Sequence, residues 1–566
     1  MTVQPQNVAE DHLVIHEVIR HALQAIPAEI EANLTRTAFS PLVYDYKDFA
    51  VGVVDRTGKL ICQGDGGIPT FLTNILGLAV RDGLLLYQEE GLHDGDVIIS
   101  NHAGTFGQHL NNVVMFTPVM DDANVVIIAF MCVVVHWIDV GGKSIGSSAS
   151  NNTTEIYQEG IQLRTVKLRN RGYPVKEIYR IIECNTRFPK ELLGDVASQV
   201  AGCLRGKELF YDIVRRYGKK TVEGAVQTMW SQSENVARLA VLAIPDGIYH
   251  ADSVFDNDGI DFDSPIHIPI SVSVTGDRLA IDFSRLNAAV RGPFNSGKSG
   301  GGITVARIAF KYLTTPNEPT NEGSFAPLEI ILPEGTFISA PASAPLAKYS
   351  TPFPTIIDTI IRALASAMPE RTSAGHHANM GTHRFSGRNP DTDALFSQSD
   401  TMNGGWGAVQ GRDGSGPFKT MSHGDTLDIP VEAQEARNSY LITSKTLRID
   451  SGGAGEYRGG LGTSKEYLIL VPTTLTLTID RTHCLPWGLM GGLDGTGSSA
   501  EIVRIDGSIE LHFKVSELKL WPGDIVRLHS GGGGGLGDPH LRSAERLTAD
   551  IRAGYVSKEA ARDVYR

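Results

Sequence analysis

Two apolar runs, separated by a short polar stretch, constrain the fold of this chain more than any other sequence feature. They cover residues 112–118 and 125–135 and are rich in valine and other β-branched residues. Such residues favour extended backbone and pack well on a pleated surface. The pattern therefore predicts strands or otherwise buried segments at both positions.

An imidazole lies close to each run. His109 stands three residues before the first run, and His136 directly follows the second. Asn112 could close a chelate with His109, and Asp48 lies upstream in KDFAVGVVD, another strand pattern. Two imidazoles with carboxylate or amide oxygens are the ligand set of a catalytic divalent metal that keeps one position open for water. If these groups converge, the chain is a metal-dependent hydrolase or lyase subunit.

Patterns along the rest of the chain predict both helices and strands. Apolar residues three or four positions apart indicate helices, and β-branched or alternating stretches indicate strands. Strands are predicted over 49–54, 60–62 and 247–283, and at short intervals after Met402. The predicted fold class is mixed α+β, with a C-terminal third rich in strands and glycine turns. Helices are predicted over residues 10–38, 70–86, 219–242, 299–314, 355–368 and 544–565.

Length and composition bound the architecture and exclude some classes of function. A chain of 566 residues is too long for one hydrophobic core, so we place lobes at 1–245, which holds the metal site, at 246–430, and at 431–566.

A formal charge of −13 disfavours a nucleic-acid partner, and no apolar stretch is long enough for a membrane span. Residues 1–12 lack the features of a secretory signal. Five scattered cysteines without a CxxC pair indicate free thiols and a cytoplasmic protein.

Glycine, with 61 residues, gathers in turns and predicts close approaches between backbones. The cluster at 531–537 could form a backbone nest for an anion, or a tight loop packed against another lobe, and the sequence favours neither.

Residues 292–299 fit the phosphate-binding pattern GxxxxGK[ST], but the apolar strand before it and the helix-forming residues after it are missing. A turn is therefore favoured there over a nucleotide site.

Several motifs follow one another in the order typical of a known protein family. They include KDFAVGVVDRTGKL at 47–60, GQHLNN at 107–112, HWIDVGG at 136–142 and DSGGAGEYRGGLG at 450–462. On these and further motifs along nearly the whole chain, the sequence resembles the B subunit of the hydantoinase/oxoprolinase family. That family includes caprolactamase-type lactamases and subunits of acetone and acetophenone carboxylases.

The resemblance implies that this chain is one half of an ATP-dependent enzyme. An A-type ATPase subunit, similar to sugar kinases and actin, would activate a small cyclic amide with ATP. The B-type subunit would then hydrolyse it at a divalent metal, which could be zinc, manganese or iron. Two alternatives stay open: a subunit of an ATP-dependent ketone carboxylase, and a non-catalytic scaffold within such a complex.

The resemblance also implies which residues form the site. The metal ligands of the family fall on Asp48, His109 and His136, whereas Asn112 stands where the family has an aspartate. Losing that carboxylate removes one negative charge from the metal and should weaken its binding. We nevertheless expect these four side chains to hold the metal.

Two further residues are predicted to be catalytic. His102 is an added imidazole near the lost carboxylate, and Asp139 occupies the Asp-x-Gly-Gly position of the family. Asp139 is expected to accept a proton from the attacking water. Asp425, Glu432 and Glu435 lie in another family motif, where one of them could act as an acid or base.

Overall fold

The computed structural model describes residues 6–566 except 73, 122, 124, 149 and 425. Asp425 and the first five residues of the N-terminal segment therefore lie outside the described residues. The chain is about 30% helix and 24% strand in several separate sheets, which confirms the predicted mixed α+β class. Within the described part of the chain, no helix is both long and apolar enough to span a membrane.

The largest sheet has seven strands, all antiparallel to their neighbours, in the order β2-β1-β5-β4-β3-β6-β7. Its two central strands, β4 and β5, are the two apolar runs, so the strands predicted there are confirmed. The strands are β1 Phe49–Asp55, β2 Leu60–Gln63, β3 Val97–Ser100, β4 Asn112–Met120, β5 Ile127–His136, β6 Val166–Asn170 and β7 Tyr173–Pro174.

Helices cover both faces of this sheet, which explains why every residue of β4 and the last eight residues of β5 are buried and most of them are apolar. On β5, Met131 and Val133 belong to the core shared with α1 and α7, whereas Cys132 and Val134 face the smaller core beneath α4. The helices of this region are α1 Gln6–Thr37, α2 Pro41–Tyr44, α3 Pro69–Leu72, α4 Ile75–Leu86, α5 Ala103–Phe106, α6 Lys176–Cys184, α7 Pro189–Tyr217 and α8 Lys219–Leu242.

A second sheet of four strands follows, in the order β11-β10-β9-β8, with a parallel pair only between β10 and β11. The helix α10 packs on β8 and β9 and also contacts α9. These elements are β8 Gly247–Phe255, β9 Ile266–Thr275, β10 Arg278–Asp282, β11 Leu328–Ile331, α9 Gly302–Thr314 and α10 Phe353–Ala363.

The C-terminal part contains two further antiparallel sheets, ordered β13-β12-β16-β19 and β14-β15-β20-β17-β18. The strands are β12 Thr382–Arg388, β13 Leu395–Asp400, β14 Tyr440–Leu447, β15 Thr463–Ile469, β16 Thr473–Thr478, β17 Ser499–Val503, β18 Ile509–Leu511, β19 Lys514–Leu520 and β20 Ile525–His529. The helices are α11 Val431–Arg437, α12 Ala544–Ala553 and α13 Lys558–Asp563, and the last two form the predicted helical tail.

Four glycine-rich segments pack backbone against backbone beside these sheets. We call residues 404–407, 452–462, 488–495 and 531–537 the glycine cluster. The N–H of Gly405 donates to the carbonyl of Gly531 (3.0 Å), and the N–H of Gly533 donates to that of Gly460 (2.9 Å). The N–H groups at 532–535 all donate to backbone carbonyls. The segment 531–537 is therefore a tight packed loop, and an anion nest is not formed there.

The predicted three-lobe division stays a prediction. In the structure, the three predicted parts contact one another in two places. The largest hydrophobic core runs from Ile19 to Met421, across the boundary at 245. The third sheet pairs β12 with β16 across the boundary at 430. The functional site described next draws on the same joined parts.

Candidate functional site

The first sheet aligns three of the predicted ligands at one end. Asn112 pairs with His136 across β4 and β5. The N–H of His136 donates to the carbonyl of Asp48 (3.0 Å), which continues the β1–β5 register by one residue. Residues directly opposite each other on antiparallel strands point to the same face. The strand order therefore brings together side chains that are far apart in sequence.

His109 joins this row from the turn before β4. The turn follows the short helix α5, which ends at Gly107 with a positive φ of 65°. The rings of His109 and His136 lie edge to face with centroids 4.9 Å apart. The Nε2 of His109 lies 2.7 Å from the Oδ1 of Asn112, so the predicted proximity of these two groups is observed.

The neighbours of His109 and Asn112 fix how each side chain is presented. The Nε2 of His109 is 2.7 Å from the Oδ1 of Asn112, and its Nδ1 is 3.3 Å from the carbonyl of Ala347. Both oxygens only accept, and the shorter contact carries the proton of the neutral ring, so Nε2–H donates to Oδ1. The amide nitrogen of Asn112 donates to Gln108 and to the hydroxyl of Tyr349, both at 2.9 Å. A metal at Nε2 would move the ring proton to Nδ1, where the carbonyl of Ala347 would accept it, which is the support that metal-binding histidines usually have.

All four predicted ligands line one cavity of about 80 Å³. That volume holds several water molecules or the reacting part of a small ligand. The opposite wall comes from residues 347–351, β12 and β13. The cavity therefore lies between the first sheet and the third. Its polar lining includes Asp48, His109, Asn112, His136, Lys348, Tyr349, Arg384, Asp400 and His423.

Burial favours the neutral forms of the titratable groups that line the cavity. It lowers the pKa of His109 to about 4, and it also lowers the pKa of His136, which His109 and Arg384 lower further. It raises the pKa of Asp48 to about 7. Neutral imidazoles keep a free lone pair at pH 7, which metal binding requires.

The donor types of the site, imidazole nitrogens with amide and carboxylate oxygens, suit a divalent metal. The buried Nδ1 of His136 has no hydrogen-bond partner among the described residues, and His109 and Asn112 place a nitrogen and an oxygen 2.7 Å apart. Within the described ranges, however, no three His, Cys, Asp or Glu side chains form a group able to hold a metal. Asp48 therefore lines the same cavity without completing a three-residue group with the two imidazoles.

Asp139 and His102 do not line this cavity. Asp139 is fully buried, and its carboxylate accepts from the Arg187 guanidinium (2.8 Å), the Gly146 N–H (3.0 Å) and the Ser147 hydroxyl (3.1 Å). His102 begins the helix α5 and bonds the Thr105 hydroxyl through Nδ1 (3.0 Å). The catalytic roles predicted for both residues stay predictions, and the geometry instead gives Asp139 the task of holding the loop 139–147.

Two positively charged residues, Lys348 and Arg384, also line the cavity, and neither was predicted from the sequence. Lys348 is the only charged residue between Glu334 and Asp358, and a lone charge in a long neutral stretch was a signal that could have revealed it. Arg384 lies on β12, which reads THRFSGR, and nothing distinguishes it there from the other polar and charged residues. Both residues are distant in sequence from His109 and His136, and only the tertiary fold brings them to the same cavity.

The other candidate motifs have structural roles. In the GxxxxGK[ST] stretch, Gly297 packs against Gly107, and the exposed Lys298 pairs with Glu334 (2.8 Å). Helix α9 begins only at Gly302, so the expected turn is observed. The Glu435 carboxylate accepts the N–H of Ile442 (2.7 Å).

Comparison with known proteins covers nearly the whole chain. A family model described as hydantoinase B/oxoprolinase matches residues 13–539. An uncharacterized protein of Methanocaldococcus jannaschii is 31% identical over 553 residues, covering 97% of this chain and 94% of that protein. Caprolactamase subunit beta of Pseudomonas jessenii is 27% identical over 565 residues, covering 97% of this chain and 94% of the relative.

Solved structures show the same architecture. The crystal structure of ATP-dependent caprolactamase from Pseudomonas jessenii aligns with a TM-score of 0.87 at 26% identity, covering 100% of this chain and 96% of that chain. Nucleotide-free acetone carboxylase aligns with a TM-score of 0.86 at 18% identity, covering 99% of this chain and 80% of that chain. At that identity the second match shows a shared fold only.

Proposed function

This chain belongs to the hydantoinase B/oxoprolinase family, and we propose that it is the B-type subunit of an ATP-dependent enzyme that opens cyclic amides. A relative and a solved structure carry the names caprolactamase subunit beta and ATP-dependent caprolactamase. These names support a hetero-oligomer in which a second, A-type subunit uses ATP to activate the ring amide. This chain would then supply the site of hydrolysis.

The observation that carries the proposal is that the four predicted donors line one cavity. Asp48, His109, Asn112 and His136 would hold a divalent metal there. When bound, such a metal lowers the pKa of water toward neutrality and so supplies a nucleophile for the amide carbon. Zinc, manganese and iron all accept mixed nitrogen and oxygen ligands of this kind.

The residues around these donors hold them in place and control protons. With a metal at Nε2, the carbonyl of Ala347 would accept the proton of His109 from Nδ1. Gln108 and Tyr349 hold the Asn112 amide with its oxygen toward His109. Without metal, burial raises the pKa of Asp48 to about 7, so a metal bound by its carboxylate would release a proton near neutral pH.

The test is metal content and ATP-dependent ring opening in the complex with the A-type subunit. His109→Ala and His136→Ala should each lose the metal and lower ring opening by at least about a hundredfold, since each removes one direct donor. Asn112→Asp should raise metal affinity about tenfold or more, because it restores a carboxylate. His250→Ala, at an exposed position on β8, is the matched control and should change neither property.

Full activity with unchanged metal in both His→Ala variants would contradict this mechanism. A wild-type complex that is fully active without metal would favour the scaffold alternative. ATP turnover that requires bicarbonate and a ketone, and ignores cyclic amides, would favour the ketone carboxylase.

A further inference from the structure

Two buried cations in the cavity have no role in the hydrolysis proposed above. The side chains of Lys348 and Arg384 both line the cavity, and each residue is only 6% exposed. His109 lines the same cavity, and the nearby Arg384 charge lowers the pKa of both Lys348 and His109. Buried cations of this kind are usually paired with a carboxylate.

The fold makes specific room for Arg384. Its Nη1 donates to the carbonyl of Ile145 (3.3 Å), in the loop that Asp139 holds. The next residue, Gly146, has a positive φ of 81°, and a Cβ at this position would overlap the guanidinium. The loop therefore forms a backbone cradle that only glycine allows.

The guanidinium is nevertheless incompletely bonded. The buried Nε of Arg384 has no partner among the described residues. Over the same described residues, neither Arg384 nor Lys348 has a carboxylate within ion-pair distance. An arginine carries five N–H donors in a planar fork, so most of its hydrogen-bonding capacity is left for something in the cavity.

The carboxylates near the cavity are already engaged. Asp400, which lines it, pairs with Lys419 (3.4 Å) and Lys465 (3.2 Å). Asp139 pairs with Arg187. Asp48 lines the same cavity and is one of the proposed metal donors. With a divalent metal bound, the cavity would carry a clear excess of positive charge.

We propose that Arg384 and Lys348 form an anion subsite, and that the molecule processed in this cavity carries a carboxylate or phosphoryl group. The proposal rests on the proposed function and narrows its substrate class to cyclic amides that bear such a group. Arginine binds either group through two parallel N–H bonds, and the lysine ammonium adds a point charge. The carboxylate would be a substituent of the amide itself, whereas the phosphoryl group would come from activation by ATP.

A competing interpretation gives the two cations a purely structural role. Arg384 would then only link β12 to the loop 139–147 through the Ile145 carbonyl. That role needs one donor and no positive charge, and it does not account for Lys348. A bound anion accounts for both cations and for the glycine cradle.

The subsite can be tested on the full-length chain without metal, ATP or a partner. Calorimetric titration would compare three probes: 5-oxoproline, the same ring without its carboxylate (2-pyrrolidinone), and inorganic phosphate. The wild-type chain should bind at least one anionic probe at least ten times more tightly than 2-pyrrolidinone. Preference for 5-oxoproline alone would identify a substrate carboxylate, and preference for phosphate alone would identify a phosphoryl group.

Variants assign the binding to the two cations. Arg384→Met and Lys348→Met should each weaken the anionic probe at least tenfold, while Lys298→Met, which removes an exposed lysine, leaves its affinity unchanged. If Arg384→Met fails to fold, the affinities of Lys348→Met and the comparison of the three probes on the wild-type chain decide whether the subsite exists. Equal binding of all three probes, or anion binding that survives both substitutions, would overturn the subsite. Because no metal or turnover is involved, these outcomes are separate from those of the ring-opening test.

Discussion

At the scale of single residues, the cavity sets two cations opposite its predicted metal donors. Asp48, His109, Asn112 and His136 line one side, and Lys348 and Arg384 line the other. The donors lie beside strand patterns that are visible in the sequence. Lys348 and Arg384 come from other parts of the chain, so that only the tertiary structure reveals their proximity to the imidazoles.

Lys348 gives a pH-dependent prediction about stability. Burial and the Arg384 charge lower its pKa from 10.5 to about 7 in the folded chain. Between pH 7 and 10.5 the unfolded chain therefore holds one more proton at this residue than the folded chain, so its contribution makes stability rise with pH. Lys348→Met should stabilise the chain by ~1–3 kcal/mol at pH 6, and this gain should shrink by pH 9.

Urea denaturation of the wild type and the variant at pH 6 and pH 9 measures this difference. Lys298→Met is the exposed control and should change stability by less than ~0.5 kcal/mol at either pH. A Lys348→Met variant that is less stable than the wild type at pH 6 would show that the ammonium has a favourable partner.

At the scale of elements, most of the strands and long helices could be predicted, but β12 and β13 could not. The central strands have long β-branched runs because they are buried on both faces. β12 instead reads THRFSGR, in which polar and charged residues hide the strand pattern. The two strands of this cavity wall therefore lacked a strand signal in the sequence, because polar residues that face the cavity alternate with few apolar ones, such as Phe385.

The loop 139–147 gives a prediction at this scale. Gly146→Ala adds a methyl group where the Arg384 guanidinium lies and forces a positive φ on alanine. Strain alone costs ~1 kcal/mol, and the overlap should add to it and displace the guanidinium. We expect a larger loss of stability than strain explains, together with at least a tenfold loss of affinity for the anionic probe.

Gly172→Ala is the matched control, because Gly172 has a similar φ of 87° and open space around its Cβ position. Denaturation and calorimetry of both variants separate strain from displacement. Equal stability losses, with anion binding intact in both, would show that Arg384 does not need the cradle.

At the scale of the whole molecule, the glycine cluster joins segments that are up to about 130 residues apart in sequence. The sequence predicted close backbone approaches but not their partners, because glycine carries no side chain that could indicate a neighbour. The partners became visible only as hydrogen bonds such as Gly453 N–H to the carbonyl of Gly533 (2.8 Å).

The glycines that meet neighbouring backbone in the cluster should tolerate no side chain. A Cβ on Gly533 would overlap the carbonyl of Trp406, which belongs to packed backbone and cannot rotate away. Gly533→Ala should therefore cost ~3 kcal/mol or more, or prevent folding. Gly507→Ala, at a turn with a positive φ of 84° and nothing near its Cβ position, should cost only ~1 kcal/mol. Equal midpoints for the two variants in denaturant would contradict this prediction.

The two walls of the cavity differ in how readily they can change. The wall that carries His109 and His136 is built on central strands that lie between two hydrophobic cores. Hydrogen exchange at the His136 amide should therefore require opening of the entire sheet. The cationic wall consists of one loop and one strand of another sheet. Substitutions in the wall that carries Lys348 and Arg384 could therefore change which molecules are recognised, while the wall that carries the two histidines stays rigid.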